Sequence, residues 1–131
     1  MEIKEIFAKL KELLNNSYCV YSNYPVGAII ETDKGYFNGV NVENGSFGLT
    51  ICAERNAIGA AISNGAKEVK TVYVLTKDLN DTGTPCGACR QVISEFANEQ
   101  AQVYIINYDG SYKSYHIDQL IPYKWSAKKS L

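Results

Sequence analysis

Three cysteines and one glutamate dominate this sequence: Cys52-Ala53-Glu54, then Pro85-Cys86-Gly87-Ala88-Cys89. Three thiolates hold Zn²⁺ in a tetrahedral site and leave the fourth position open to water. The two motifs lie more than thirty residues apart, each at the start of a predicted helix. Any fold that uses them together must bring two helix N-termini to one point. A carboxylate two residues after the first thiol, Glu54, then stands where it can move protons to and from that water. The site predicted here has Cys52, Cys86 and Cys89 as ligands, Glu54 as acid and base, and one Zn²⁺ per chain.

The remaining composition allows an ordinary globular fold. The chain has 131 residues, 46% hydrophobic and 21% charged. That length suits a single domain, 1–131, with enough apolar material for one core. The net charge of −1 comes without a basic face. Duplex nucleic acid is therefore not an expected partner, since counterion displacement needs clustered Lys and Arg. Lys124, Lys128 and Lys129 make the tail slightly basic, as solvated lysines do. No apolar run reaches membrane-spanning length, and the charged stretch from Met1 to Leu14 lacks the apolar centre of a signal peptide. The expected compartment is the cytoplasm, where thiols stay reduced and four cysteines read as metal or catalytic residues.

Ile3, Ile6, Phe7, Leu10, Leu13 and Leu14 share one helical face, so the chain opens with an amphipathic helix. Val26 to Thr32, a turn at Asp33-Lys34-Gly35, and Tyr36 to Val40 form a predicted hairpin. Asn41 to Thr50 reads as loop. A helix is expected from Ile51 to Ser63, with Thr50 as N-cap and Asn64-Gly65 as its stop. Val69 to Thr76 is a buried strand. Thr84 and Pro85 predict a second helix start, Thr as N-cap and Pro as first helical residue, running to Phe96. Strands at Val103–Asn107 and Tyr112–Tyr115 flank an Asp109-Gly110 turn, and a short helix, Ile117 to Leu120, precedes Pro122. The alternation predicts an α/β three-layer sandwich, a five-stranded mixed sheet flanked by helices.

At helix starts, unpaired N–H groups and the helix dipole stabilise thiolates. Zinc with three thiolates still carries one net negative charge. Arg55, next to Glu54, is the expected hydrogen-bond donor to a thiolate sulfur, tuning the metal from behind its ligands. A bland alternative is a structural zinc with four ligands. The remaining candidates, Cys19 and His116, lack partner spacing to the motif cysteines. Glu54 alone would read as a partner of the helix dipole; beside a zinc thiolate, proton transfer is the better reading.

These motifs resemble those of the small homotetrameric cytidine deaminases, whose zinc site also occurs in a three-Cys form. The resemblance extends through Tyr24-Pro25-Val26-Gly27-Ala28, Gly39-Val40-Asn41-Val42-Glu43-Asn44, Cys52-Ala53-Glu54-Arg55, Pro85 to Gln91, and Leu120-Ile121-Pro122. It implies hydrolytic deamination of cytidine and 2′-deoxycytidine in pyrimidine salvage. It implies that Asn41 and Glu43 bind the ribose 3′-hydroxyl, that Tyr24 packs on the pyrimidine, and that the Ala53 N–H and Cys86 carbonyl reach the base. It also implies a homotetramer in which Phe47 and Trp125 reach a neighbour's site. Tyr24 stands where many members have Phe, Phe47 where many have Tyr, and Trp125 in place of a C-terminal Phe. Alternatives are a deaminase of a modified nucleoside such as blasticidin S, against which Glu43 argues, a polynucleotide cytosine deaminase, and a non-catalytic zinc-binding module. The polynucleotide enzymes usually have His where Cys52 stands and need a basic groove.

Overall fold

The computed structural model describes residues 1–130. Helix α1 (Ile3–Leu14) buries Ile6, Leu10 and Leu14. A hairpin follows, β1 (Gly27–Thr32) and β2 (Gly35–Val40), turning at Gly35 with φ +100°, a conformation glycine adopts without strain. Next come a single 3₁₀ turn at Phe47–Leu49, helix α2 (Ala53–Ser63), strand β3 (Val69–Leu75) and helix α3 (Gly87–Phe96). Strands β4 (Ala97–Ile106) and β5 (Tyr112–His116) and the short helix α4 (Ile117–Leu120) follow.

The five strands form one mixed sheet in the order β2-β1-β3-β4-β5. Only β3 and β4 run parallel, joined through α3; the other neighbours are antiparallel. Successive residues of a strand point to opposite faces, and β1 uses both. Ile29 turns to the α1 side, with Leu75 and Ile106. Ala28 and Ile30 turn to the other side, with Val72, Val74, Val103 and Ile105, where Ala57, Ile58 and Ala61 of α2 and Ile93 of α3 cover them. This is the expected three-layer sandwich.

Two helix starts differ from the sequence reading. The N-cap of α2 is Cys52, not Thr50, and that of α3 is Cys86, with Pro85 outside the helix. Thr50 Oγ1 instead accepts the Asn44 N–H at 3.3 Å. Neither cysteine side chain caps its helix, so both thiols stay available to a ligand. Strand β4 also begins directly after α3, six residues before the predicted Val103, because Ala97 pairs with Val69 ahead of a bulge. Strand pairing outweighs the weak β-propensity of Ala97-Asn98-Glu99-Gln100.

Glycine 39 fixes the approach of sheet and helix. A Cβ there would lie 2.2 Å from the Ala53 carbonyl oxygen and 2.5 Å from the Ala57 nitrogen. The bare backbone of β2 thus lies directly against the first turn of α2. Asn56 ties the same helix down, donating to the Val40 carbonyl at 2.8 Å.

Candidate metal centre and substrate cleft

The starts of α2 and α3 converge. The Sγ atoms of Cys52, Cys86 and Cys89 all lie within 4.8 Å of one another, and Cys52 and Cys86 are 3.8 Å apart. Tetrahedral Zn–S bonds near 2.3 Å place sulfurs about 3.8 Å apart, so the trio fits zinc. No fourth His, Cys, Asp or Glu joins the group among the described residues. His116 is the N-cap of α4: its side chain accepts from the Asp118 N–H, and its Nε2 lies 2.7 Å from the Glu99 carbonyl. Cys19 lies outside the cluster as a free thiol.

Hydrogen bonding with Cys89 pulls the Cys52 thiol down to about 5, with Arg55 and Cys86 adding to the effect, and the same sharing pushes Cys89 upward. Arg55 donates to Cys52 Sγ at 3.5 Å. That contact, then the one to Cys89, holds the guanidinium more firmly charged. Its buried Nε has no partner among the described residues. Glu54 is 4% exposed, and burial pushes its carboxyl up to about 7. A carboxyl so placed exchanges protons near neutrality.

Beside the trio opens a cleft of about 360 Å³, lined by Cys52, Glu54 and Cys86 at one end and by Ser22, Asn41 and Glu43 as further polar groups. Tyr24, Val26 and Val74 give it apolar walls. Asn41 is 7% exposed and holds the loop together: Oδ1 accepts from Ser17 and from the Val26 N–H at 2.9 Å, and Nδ2 donates to the Tyr24 carbonyl at 2.9 Å. Glu43 Oε1 accepts the N–H groups of Tyr21 and Ser22 at 3.0 and 3.1 Å, and Oε2 accepts the Ser22 hydroxyl. The Ser22 hydroxyl, helped by both N–H groups, keeps this carboxyl below its ordinary range.

Ala53 is fully buried at the first turn of α2. The Cys86 carbonyl accepts the Arg90 N–H at 2.9 Å. Phe47 and Trp125 do not line this cleft. Phe47, 72% exposed, meets Tyr21 edge to face beside an adjoining hollow of about 250 Å³ that shares Ser22, Glu43 and Thr50 with the cleft. Trp125, 70% exposed, lies near Ser94 and Lys128. Sequence reasoning missed Ser22, which fixes Glu43, and the β3–α3 loop, which supplies Thr76, Gly83 and Thr84 to the cleft. Their signal was faint: polar residues in loops, without periodicity.

Residues 1–105 match the family model for the cytidine and deoxycytidylate deaminase zinc-binding region. A cytidine deaminase of Sporosarcina psychrophila is 36% identical, over 98% of this chain and 94% of its own. A blasticidin-S deaminase of Bacillus cereus is 33% identical, over 80% of this chain and 79% of its own. The solved structure of a cytidine deaminase from Burkholderia pseudomallei superposes with a TM-score of 0.88 at 33% identity, covering 95% of this chain and 100% of that one. Motif, geometry and relatives agree: the chain belongs to the cytidine and deoxycytidylate deaminase zinc-binding family.

Proposed function

We propose that this protein hydrolytically deaminates cytidine and 2′-deoxycytidine to uridine and 2′-deoxyuridine, releasing ammonia, in pyrimidine salvage. The observation that carries the reading is a buried carboxyl, Glu54, in a nucleoside-sized cleft beside three thiols with no fourth ligand among the described residues. Cys52, Cys86 and Cys89 would hold one Zn²⁺, which when bound supplies the Lewis acid that makes water nucleophilic at neutral pH.

Glu54 takes a proton from the attacking water and delivers it to N3 of the base. Water oxygen bonds to C4. Glu54 then carries the second water proton to the exocyclic nitrogen, the C4–N bond breaks, and ammonia leaves a C4 carbonyl behind. At the same end, the Ala53 N–H and the second lone pair of the Cys86 carbonyl offer one donor and one acceptor to the base edge. Tyr24 packs on the ring face.

The other end suits a sugar hydroxyl. The contacts above occupy both lone pairs of Asn41 Oδ1 and one of its two Nδ2 hydrogens. Three of the four carboxylate sites of Glu43 are likewise taken. One donor and one acceptor remain, the complement of a hydroxyl that accepts one bond and gives one. The ionisable lining among the described residues consists of Tyr24, Glu43, Glu54, Cys52 and Cys86, without Lys or Arg. An uncharged nucleoside therefore fits better than a phosphorylated one.

Homotetrameric assembly belongs to the same proposal. Exposed Tyr21, Phe47, Leu49 and Ile51 form an apolar surface next to the cleft mouth, of a kind that partners cover. Phe47 and Trp125 are the side chains that reach a neighbouring subunit's site. Cytoplasmic residence is supported by four free thiols; no helix among the described residues is long and apolar enough to cross a membrane.

Ultraviolet-monitored turnover of cytidine by zinc-loaded protein tests the function, with Glu54→Ala and blasticidin S alongside. Turnover in wild type and its loss in Glu54→Ala are expected. The likeness to the Bacillus cereus enzyme favours a second reading, and turnover of blasticidin S alone would select it. Silence towards both from folded, zinc-replete protein would leave a non-catalytic zinc module.

A further inference from the structure

Packing on a pyrimidine needs only an aromatic ring, so the hydroxyl of Tyr24 calls for its own explanation. It donates to Asp78 Oδ2 at 2.7 Å. The hydroxyl of Thr82 donates to the same oxygen, also at 2.7 Å. Asp78 does not line the cleft, but Tyr24, Thr76, Gly83 and Thr84 do. We infer that Asp78 is a positioning residue that locks the aromatic wall of the cleft to the loop carrying Cys86, so that ring and metal motif hold one relative placement.

The loop is built to receive such a lock. The Asp78 N–H donates to buried Thr76 at 3.1 Å, and its carbonyl accepts the Tyr108 N–H at 3.0 Å. Gly83 doubles back onto Thr76 so closely that a Cβ would lie 2.7 Å from Oγ1. The outer end of the loop is fastened by Asn107, 2% exposed, whose amide exchanges two hydrogen bonds with Asp81 at 2.9 and 2.7 Å. Tyr24 sits on the opposite wall in a loop with Asn23 at φ 54° and is itself 38% exposed. The Asp78 bond, with the Thr76 side chain as a second partner of the same hydroxyl, ties its hydroxyl end to this otherwise anchored loop. Freed of it, the ring samples other rotamers, and substrate must pay the ordering entropy on binding.

The inference rests on the deaminase reading, and the experiment separates the two. Cytidine kinetics and zinc content are measured for wild type, Tyr24→Phe, Asp78→Ala, Asp78→Asn and the Tyr24→Phe/Asp78→Ala double variant. Urea unfolding of the same proteins is run in parallel. Asp78→Ala should raise KM about tenfold, the scale of one lost charged hydrogen bond, with kcat changed less than KM and zinc retained. The double variant should be no worse than Asp78→Ala alone, and its unfolding midpoint should be equally non-additive. Asp78→Asn should recover most of the KM loss, because both donors meet one oxygen that an amide carbonyl can replace. Unchanged KM in Asp78→Ala, multiplicative effects in the double variant, or Asn no better than Ala would overturn the inference. Wild-type silence towards cytidine defeats the deaminase reading instead, and additive unfolding midpoints would then still refute the Tyr24–Asp78 tie.

Discussion

Replacing Gly39 by alanine should cost both the fold and the site. The new Cβ would stand 2.2 Å from the Ala53 carbonyl oxygen and 2.5 Å from the Ala57 nitrogen, against ordinary contacts of 3.4 Å or more. Both obstacles are backbone, so no side chain can swing aside. Relief requires β2 and the start of α2 to part by about 1 Å, an overpacking that costs on the order of 3 kcal/mol. For a chain of this size that lowers the melting temperature by roughly 10 °C. The displaced turn carries Cys52 and Glu54, while Cys86 and Cys89 stay on α3. A 1 Å error in such an arrangement costs about a hundredfold in rate. Thermal unfolding and cytidine kcat/KM, with zinc content, measure both effects. Gly59→Ala is the control: Gly59 lies on the same helix, with nothing within 4 Å of its Cβ position. Helix propensity there should raise stability by up to about 1 kcal/mol. A Gly39→Ala protein as stable and active as wild type would refute the claim that bare backbone contact sets the start of α2.

Cys86→Ala and Cys89→Ala should each lose the metal; full zinc occupancy in both, measured by atomic absorption, would remove them from the ligand set. Glu43→Gln should raise KM for cytidine about tenfold, the scale of one charged hydrogen bond, while zinc stays; unchanged kinetics would take Glu43 out of the sugar end. Asp33 accepts the Lys67 and Glu68 N–H groups at 2.9 and 3.1 Å, and these bonds, Lys67 foremost, hold its carboxyl below the ordinary 3.8. A folded-state pKa below the unfolded one stabilises fully above 3.8 and loses that contribution as pH falls below it. Urea midpoints of wild type and Asp33→Asn should therefore differ by a constant amount near neutrality and converge on acidification below 3.8; a gap that widens there would contradict the assignment.

The elements that carry the core were legible because their periodicity is strong. Ile6, Leu10 and Leu14 mark α1, and the β-branched run at Val69–Leu75 marks β3. The metal trio was legible because residue type and spacing encode it directly. The helix caps were not, since Thr50 and Thr84 are better caps by propensity than Cys52 and Cys86. Here tertiary placement of the cysteines decides where the helices begin. The polar start of β4 was hidden for a related reason: Ala97 owes its strand conformation to Val69 across the sheet, a partner nearly thirty residues away. Gly39 could be read only as part of a motif, because the backbone it admits belongs to a helix more than ten residues on.

Cysteine at the N-cap also resolves a problem of charge. Three thiolates overcompensate a divalent cation, leaving one negative charge that weakens it as a Lewis acid. A longer approach, with each helix starting at its threonine, would bury the cysteines inside the first turn and direct the free N–H groups elsewhere. With Cys52 and Cys86 as the caps, the unpaired N–H groups and positive ends of both helices face the sulfur cluster. Arg55, one turn into α2, adds a full positive charge at Cys52 Sγ. Together with the hydrogen bond from Cys89, this favours thiolate over thiol at Cys52, while Glu54, buried on the same turn, meets the opposing effect of desolvation. One helix start therefore presents a metal ligand held anionic and, two residues later, a carboxyl that takes up a proton readily. That division of labour is what hydrolysis at an aminopyrimidine carbon requires.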